Sequence, residues 1–352
     1  MTGRTHIILV NWNGAKNTIE CLESLLRLKG DFTVTVCDNG SIDGSPDRIL
    51  EWALSAPPGA EWSVLADRMG KMRLRQPGCR VLDARNCQLQ GDEVPFLTVL
   101  KNGRNLGFAG GNNAGIRLAL ADPECTLVWL LNNDTVVEPE ALEELIARME
   151  DTSVAVCGST LLYYDEPDRV QALGASFSKL RALAKPLGFG RSAKELPDQE
   201  TVEARLAYVI GASLLARRHV FQRTGGLYED YFLYFEELEL SRGLKPGERL
   251  GWAPRSIVYH KEGGSIGTSS RGRASPTSIY YLRVNLLRFY RRHHFALLPL
   301  AFLRVAGDAL RDFLHGDNAA LRATSIAVTD FLSRRGRTGP LPAGSAEKRP
   351  AA

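Results

Sequence analysis

The residues best placed to do chemistry stand where an apolar run stops. Thr126 to Leu131 gives way abruptly to Asn132-Asn133-Asp134-Thr135. A strand apolar along its length belongs inside a parallel sheet whose crossover helices cover both faces, and ligands bind beyond the carboxyl ends of such strands. A lone Asp in that place is often only a helix cap. A hard divalent cation, however, takes one or two protein carboxylates and completes its shell with phosphate oxygens and water, so Asp134 also suits Mg²⁺ or Mn²⁺.

Two further loops carry matching chemistry. Asp38-Asn39-Gly40-Ser41 follows a second strand, where the Asp38 carboxylate can accept the imide hydrogen of a uracil or thymine ring or simply cap the next turn. The segment from Asn105 to Asn113 holds Gly107, Gly110, Gly111 and Asn112 and offers bare backbone and a helix N-terminus to a diphosphate. It matches neither the Gly-x-Gly-x-x-Gly fingerprint nor a P-loop. Glu236, Glu237 and Glu239 follow the aromatic run Tyr231 to Phe235; acids crowded after apolar residues acquire raised pKa values and suit general-base work, although an acidic first turn also stabilises any helix. His260 closes another strand-like run, and its functional reading requires that it meet Asp134 in space.

These loops need a scaffold, and the intervening segments supply one. His6 to Val10 and Phe32 to Cys37 read as buried strands, Thr18 to Arg27 as a helix with Ile19, Leu22, Leu25 and Leu26 on one face, and Ser45-Pro46 as the cap and first residue of a second helix. The spacing predicts a strand over Phe96 to Leu100, a helix from about Asn112 to Ala121, a helix from Pro139 through Met149, and a short strand over Val154 to Gly158. Residues 56 to 95, rich in Pro, Gly and Arg, read as an insertion, and Lys179 to Glu203 as a loop or lid. Ile279 to Leu314 reads as two helices, the second with Phe302, Val305, Ala306, Ala309, Leu310 and Phe313 on one face.

Composition narrows the class. A formal net charge of +4 in 352 residues makes no demand for a nucleic-acid partner. The six cysteines form no Cys-x-x-Cys pair, so structural zinc is disfavoured, and Cys37 and Cys157 read as buried free thiols. The N-terminus lacks the pattern of a signal peptide, and no apolar stretch approaches the roughly 18 to 20 residues of a spanning helix. The expectation is a cytoplasmic protein, touching the inner face of the membrane if the basic-flanked apolar helices between residues 280 and 313 meet lipid; packing on the α/β domain or a homodimer through the same helices competes with that reading.

Taken in order, Val10-Asn11-Trp12-Asn13, Cys37 to Ser45, Asn105 to Asn113, Leu131 to Thr135, Gly211-Ala212, Phe235 to Leu240 and Tyr259 to Ser265 resemble the inverting glycosyltransferases of family 2, in particular the branch containing bacterial rhamnosyltransferases. The resemblance spans roughly residues 5 to 315. It implies an α/β GT-A fold, a Rossmann-like mostly parallel sheet flanked by helices, with a catalytic domain over 1–265 (nucleotide half about 1–135, acceptor half about 136–265), a helical extension over 266–333 and a disordered tail over 334–352. It implies that Asn11, Trp12, Asp38, Asn39, Ser41, Asn105, Gly107, Phe108, Gly111, Asn112, Asn132 and Asn133 contact a UDP- or dTDP-sugar. By the same resemblance Asp134 and His260 hold the metal, Glu237 is the catalytic base, and Gly211, Ala212 and Glu236 face a glycan, lipid-linked or small-molecule acceptor. The alternatives are a catalytically silent nucleotide-sugar-binding or assembly protein of the same fold and, more remotely, a nucleotidyltransferase.

Overall fold

The computed structural model describes residues 3–55, 79–83, 96–262 and 274–336. The remainder of the 56–95 segment, residues 263–273 and the tail from 337 lie outside the described residues.

The first half is a repeated strand–helix unit. Strand β1 (Arg4–Asn11) pairs in parallel with β2 (Phe32–Asp38) and with β5 (Cys125–Asn132); β2 pairs in parallel with β4 (Leu97–Lys101), and β4 with the edge strand β3 (Cys79–Asp83). Part of the segment read as an insertion therefore completes the sheet edge. Alternation along β1 shows why the strands are apolar throughout: Ile7 and Leu9 pack into one core with Leu22, Leu25, Ile49 and Trp52, while Ile8 packs into the opposite core with Ala114 and Ile116. The first core is closed by α1 (Ala15–Leu25) and α2 (Ser45–Leu54), the second by α3 (Gly107–Ala121). Gly44, in the left-handed region at φ 77°, takes the cap position of α2, and Ser45 becomes its first helical residue, one place later than its side chain suggests.

Beyond β5 the sheet changes character. Its order is β3-β4-β2-β1-β5-β11-β7-β12-β6, where β6 is Thr135–Val137, β7 Val154–Tyr163, β11 Ser213–Arg217 and β12 Arg249–His260. β11 runs antiparallel between β5 and β7, and β12 is parallel to β7 but antiparallel to β6. β7 is ten residues long, twice the predicted strand, because every one of its side chains is buried. The short β8 (Val170–Ala172) pairs with β7, and β9 (Ala175–Ser178) with β10 (Leu183–Pro186) forms a small hairpin whose second strand lies in the region read as a loop or lid. The helices α4 (Ala141–Arg148), α5 (Gln199–Glu203) and α6 (Arg218–Thr224) complete the layers.

The stretch read as two helices holds α8 (Pro276–His293) and α9 (Leu298–Leu314), and a further helix, α10 (Asn318–Leu332), follows them among the described residues; α7 (Glu236–Arg242) precedes them in the sheet domain. Ala301, Phe302 and Val305 of α9 turn inward, and Phe302 meets Phe331 edge-to-face at 5.7 Å. Leu310 and Phe313, predicted to share that face, are instead exposed. Among the described residues no helix is long and apolar enough to cross a membrane.

Candidate active site

Strand register brings the chemistry together. His260 pairs with Thr135 across β12 and β6, and the Lys261 amide donates to the Asp134 carbonyl at 3.0 Å, so the last residue of β12 must lie beside the turn that follows β5. His260 Nε2 is 3.2 Å from Asp134 Oδ1 and 3.3 Å from the Asn132 amide nitrogen. The meeting that the functional reading of His260 requires is therefore present. On the other side of the ring, Nδ1 lies 2.9 Å from Gln171 Oε1, which can only accept, and this assigns the Nδ1 proton. Nε2 then faces Asp134 either as the N–H of an imidazolium or as a lone pair beside a shared cation. Burial opposes the charged ring, but the Asp134 carboxylate outweighs it and raises the His260 pKa above its ordinary value. Asp134 and His260 fit a divalent cation as two protein ligands, the remaining positions falling to phosphate oxygens and water. Among the described residues no cluster of three or more acidic, His or Cys side chains adds further ligands.

A cleft of about 550 Å³ opens at these strand ends. Of the residues singled out in the sequence, Trp12, Asn39, Asn105, Gly107, Phe108, Asn132, Asn133, Asp134, Gly211, Ala212, Glu236, Glu237 and His260 line it. Asn11, Asp38, Ser41, Gly111 and Asn112 do not. Asn11 Nδ2 donates to Asp38 Oδ1 at 2.8 Å and to Ser41 Oγ at 3.1 Å, and the Ser41 hydroxyl and amide donate to the two Asp38 oxygens at 2.6 and 3.0 Å. This trio fixes the two loops beneath Trp12 and Asn39. Asn133 lines the cleft while its Nδ2 donates back to Thr18 at 2.9 Å.

The glycine-asparagine segment is largely helix and not loop. α3 starts at Gly107, five residues before the predicted Asn112, and buries Gly110, Gly111, Asn112 and Asn113. Asn112 donates to the Phe108 carbonyl at 2.9 Å, and Asn113 to the Leu227 carbonyl and Glu229, both at 2.8 Å. Gly107 has φ 73°, and a Cβ there would fall 2.3 Å from the Phe232 carbonyl, so only glycine fits this entry to the helix. Asn105 supports the turn by accepting from the Gly107 amide at 2.9 Å.

The acidic helix is resolved residue by residue. Glu239 is held by the Tyr231 hydroxyl at 3.0 Å, His293 at 2.6 Å and Arg292 at 3.1 Å, a structural tie to α8. Glu237 instead faces the cleft, its Oε1 accepting from the Gly211 amide at 3.1 Å. Glu236 is fully buried against the cleft and its Oε2 has no partner among the described residues. Burial raises both carboxyl pKa values, and the neighbouring Glu237 charge raises that of Glu236 further, so Glu237 is the first of the pair to ionise. A Cβ on Gly211 would lie 2.6 Å from Glu237 Oε1 and 3.0 Å from the Phe108 ring. Gly211→Ala is expected to push the carboxylate out of place and lower turnover by on the order of 10²-fold without unfolding the protein, measured by steady-state kinetics beside a melting curve.

Two residues of this site escape the sequence reading. Gln171 lies on the three-residue β8, too short to announce itself. Asn285 of α8 is the more consequential. Phe232, Tyr234 and Phe235, just before Glu236, all have positive φ (62°, 66° and 78°), a strained turn that persists only if its surroundings hold it. Asn285 Nδ2 donates to the carbonyls of Tyr231 and Leu233 at 2.8 Å and of Tyr234 at 3.2 Å, and Tyr281 stacks on Phe232 at 5.0 Å. A wholly buried Asn amid the apolar face of α8 was the available signal. Asn285→Ala leaves these carbonyls without their donor; the expected cost is about 2 kcal/mol of stability, checked by urea unfolding.

The fold so described is the GT-A glycosyltransferase fold. The family model for Glycosyl transferase family 2 matches residues 87–202. The low-salt glycan biosynthesis hexosyltransferase Agl10 of Haloferax volcanii is 27% identical over 154 residues, 42% of this chain; the chain thus spans less than half, 45%, of that relative. Among solved structures, the mannosyltransferase PcManGT of Pyrobaculum calidifontis, in complex with GDP-Man and Mn²⁺, superimposes with a TM-score of 0.51 at 14% identity, covering 97% of this chain and 77% of that one. GalNAc-T7 with UDP, GalNAc and Mn²⁺ gives 0.53 at 13% identity, covering 82% and 48%. Similarity to family 2 thus covers residues 87–202, and the structural likenesses show the fold.

Proposed function

We propose that the protein transfers a hexose from a UDP- or dTDP-sugar to an acceptor hydroxyl with inversion at the anomeric carbon. The observation that carries this reading is Glu237, which faces the cleft that also holds Asp134 and His260 and, of the two acids of its helix that line it, is the first to ionise. Ionised Glu237 accepts the proton of the acceptor hydroxyl as that oxygen attacks the anomeric carbon and the bond to the nucleoside diphosphate breaks. One in-line displacement inverts the centre. The nucleoside lies along Trp12, Asn39 and Asn105, and the Asn11, Asp38 and Ser41 trio holds those loops. A divalent cation on Asp134 and His260 would neutralise charge on the departing diphosphate. Glu236, Gly211 and Ala212 face the acceptor, and Phe189, Ile210 and Leu282 give that part of the cleft an apolar lining suited to the faces of sugar rings. Exposed Leu303, Leu310 and Phe313 on α9 support a lipid-linked acceptor met at a membrane surface.

The test is turnover of a panel of nucleotide-sugars by the purified protein with Mg²⁺ or Mn²⁺, followed by competition with free nucleotides. Acceptor-dependent release of UDP or dTDP is expected. Tight donor binding with no turnover on any acceptor or on water would instead mark a silent nucleotide-sugar-binding protein.

A further inference from the structure

Next to the cleft lies a larger cavity of about 900 Å³ that shares Trp12, Asn105 and Phe232 with it. Its outer wall is rich in arginine: Arg104 precedes α3, Arg291 stands in the last turn of α8, and Arg334 and Arg335 follow α10. None of these four has a carboxylate partner within ion-pair distance among the described residues. A fifth, Arg288, spends its donors on neutral oxygens, the carbonyls of Asp230 and Arg335 at 3.0 Å and the Asn285 amide at 3.1 Å. Three carboxylates share the wall with six arginines, and each of the three also accepts from a neutral donor. Asp230 accepts from Tyr228, Glu229 from Asn113, and Asp330 from Tyr280. Rings hold some of the cations in place, with Arg291 4.8 Å over Phe331 and Arg292 4.3 Å over Tyr228.

Guanidinium groups from three separate elements thus outnumber the carboxylates facing the same concavity, an excess of positive charge that favours an anion, and their forked donors match phosphate oxygens. We propose that this cavity binds a phosphate or diphosphate group of a ligand other than the sugar donor. The adjoining wall at Trp12 and Asn105 would place that group beside the nucleoside, and its source is either the headgroup of an anionic lipid or a soluble phosphate compound.

The experiment does not read sugar transfer, so it stands apart from the proposed activity. Inorganic pyrophosphate is titrated by calorimetry into the full-length Asp134→Ala protein without divalent cation, which disables the metal site of the cleft. Binding is expected, and Arg104→Gln and Arg291→Gln should each weaken it roughly tenfold, whereas Arg255→Gln, at an exposed residue paired with Glu144, should leave it unchanged. Circular dichroism of each variant separates loss of the site from loss of the fold. Sedimentation with phosphatidylcholine vesicles, with and without phosphatidic acid, distinguishes the sources. Acid-lipid-dependent sedimentation lost in the arginine variants assigns a lipid headgroup; pyrophosphate binding without it assigns a soluble phosphate. Absence of pyrophosphate binding, or binding indifferent to both arginine variants, overturns the proposal.

Discussion

Glu237→Gln is expected to lower sugar transfer by roughly 10²–10⁴-fold while donor affinity stays unchanged. The amide is nearly isosteric and can still accept from the Gly211 amide, so the loop and helix keep their positions, and only the ability to take a proton is lost. Steady-state kinetics paired with a donor-binding titration separates the two quantities. Transfer at the wild-type rate would remove Glu237 from the mechanism. The wild-type pH profile adds a second readout. A base works only when ionised, and burial raises the Glu237 pKa; activity should therefore rise with pH through a value above the usual carboxylate range. The same group bears on stability in the opposite sense. Because the folded state holds this proton more tightly than the unfolded chain, its contribution to stability is greatest below the unfolded pKa and declines as pH rises through the folded one.

Asp134→Ala is expected to reduce transfer by on the order of 10³-fold and, unlike Glu237→Gln, to weaken metal-assisted donor binding at the same time. Asp134 is buried and 3.2 Å from His260, so its removal also strips the imidazole of the partner that raises its pKa. The His260 resonances, followed by NMR, should titrate at lower pH in the variant, a readout independent of catalysis. Donor titrations with and without Mn²⁺ complete the test. An Asp134→Ala protein whose donor affinity still responds to Mn²⁺ as the wild type does would take this residue out of the metal site.

What the sequence makes legible here follows the range of the forces involved. Buried strands are visible because both faces of a parallel sheet demand apolar side chains, and β1, β2 and β5 were readable on that ground. Pairing between distant strands is not visible in the same way. His260 and Thr135 are joined by a register that no local pattern encodes, so the Asp134–His260 contact could be stated only as a condition. The start of α3 differs from the expected one for a different reason. Its glycines lower helix propensity and look like loop, but Gly111 and Gly115 are small so that the helix can lie against Asn39, Val10, Ile8 and Cys37. Tertiary packing overrode local preference. In α9 the periodicity is helical, but it does not say how far along the helix its apolar face is covered: Phe302 and Val305 pack inward, Phe302 against Phe331 of α10, while Leu310 and Phe313 lie exposed.

The Asn285 clamp makes the helical unit a part of the candidate site and not an appendage to it. The loop that carries Glu237 is fixed by a side chain from α8, far along the chain. Chimeras that join the sheet of this chain to the helices of a relative should therefore fold and bind donor yet lose turnover, unless the Tyr231–Phe235 loop and its Asn285 partner are exchanged together. The two segments constitute a single heritable module, and any attempt to change acceptor preference by swapping helices will have to respect that boundary.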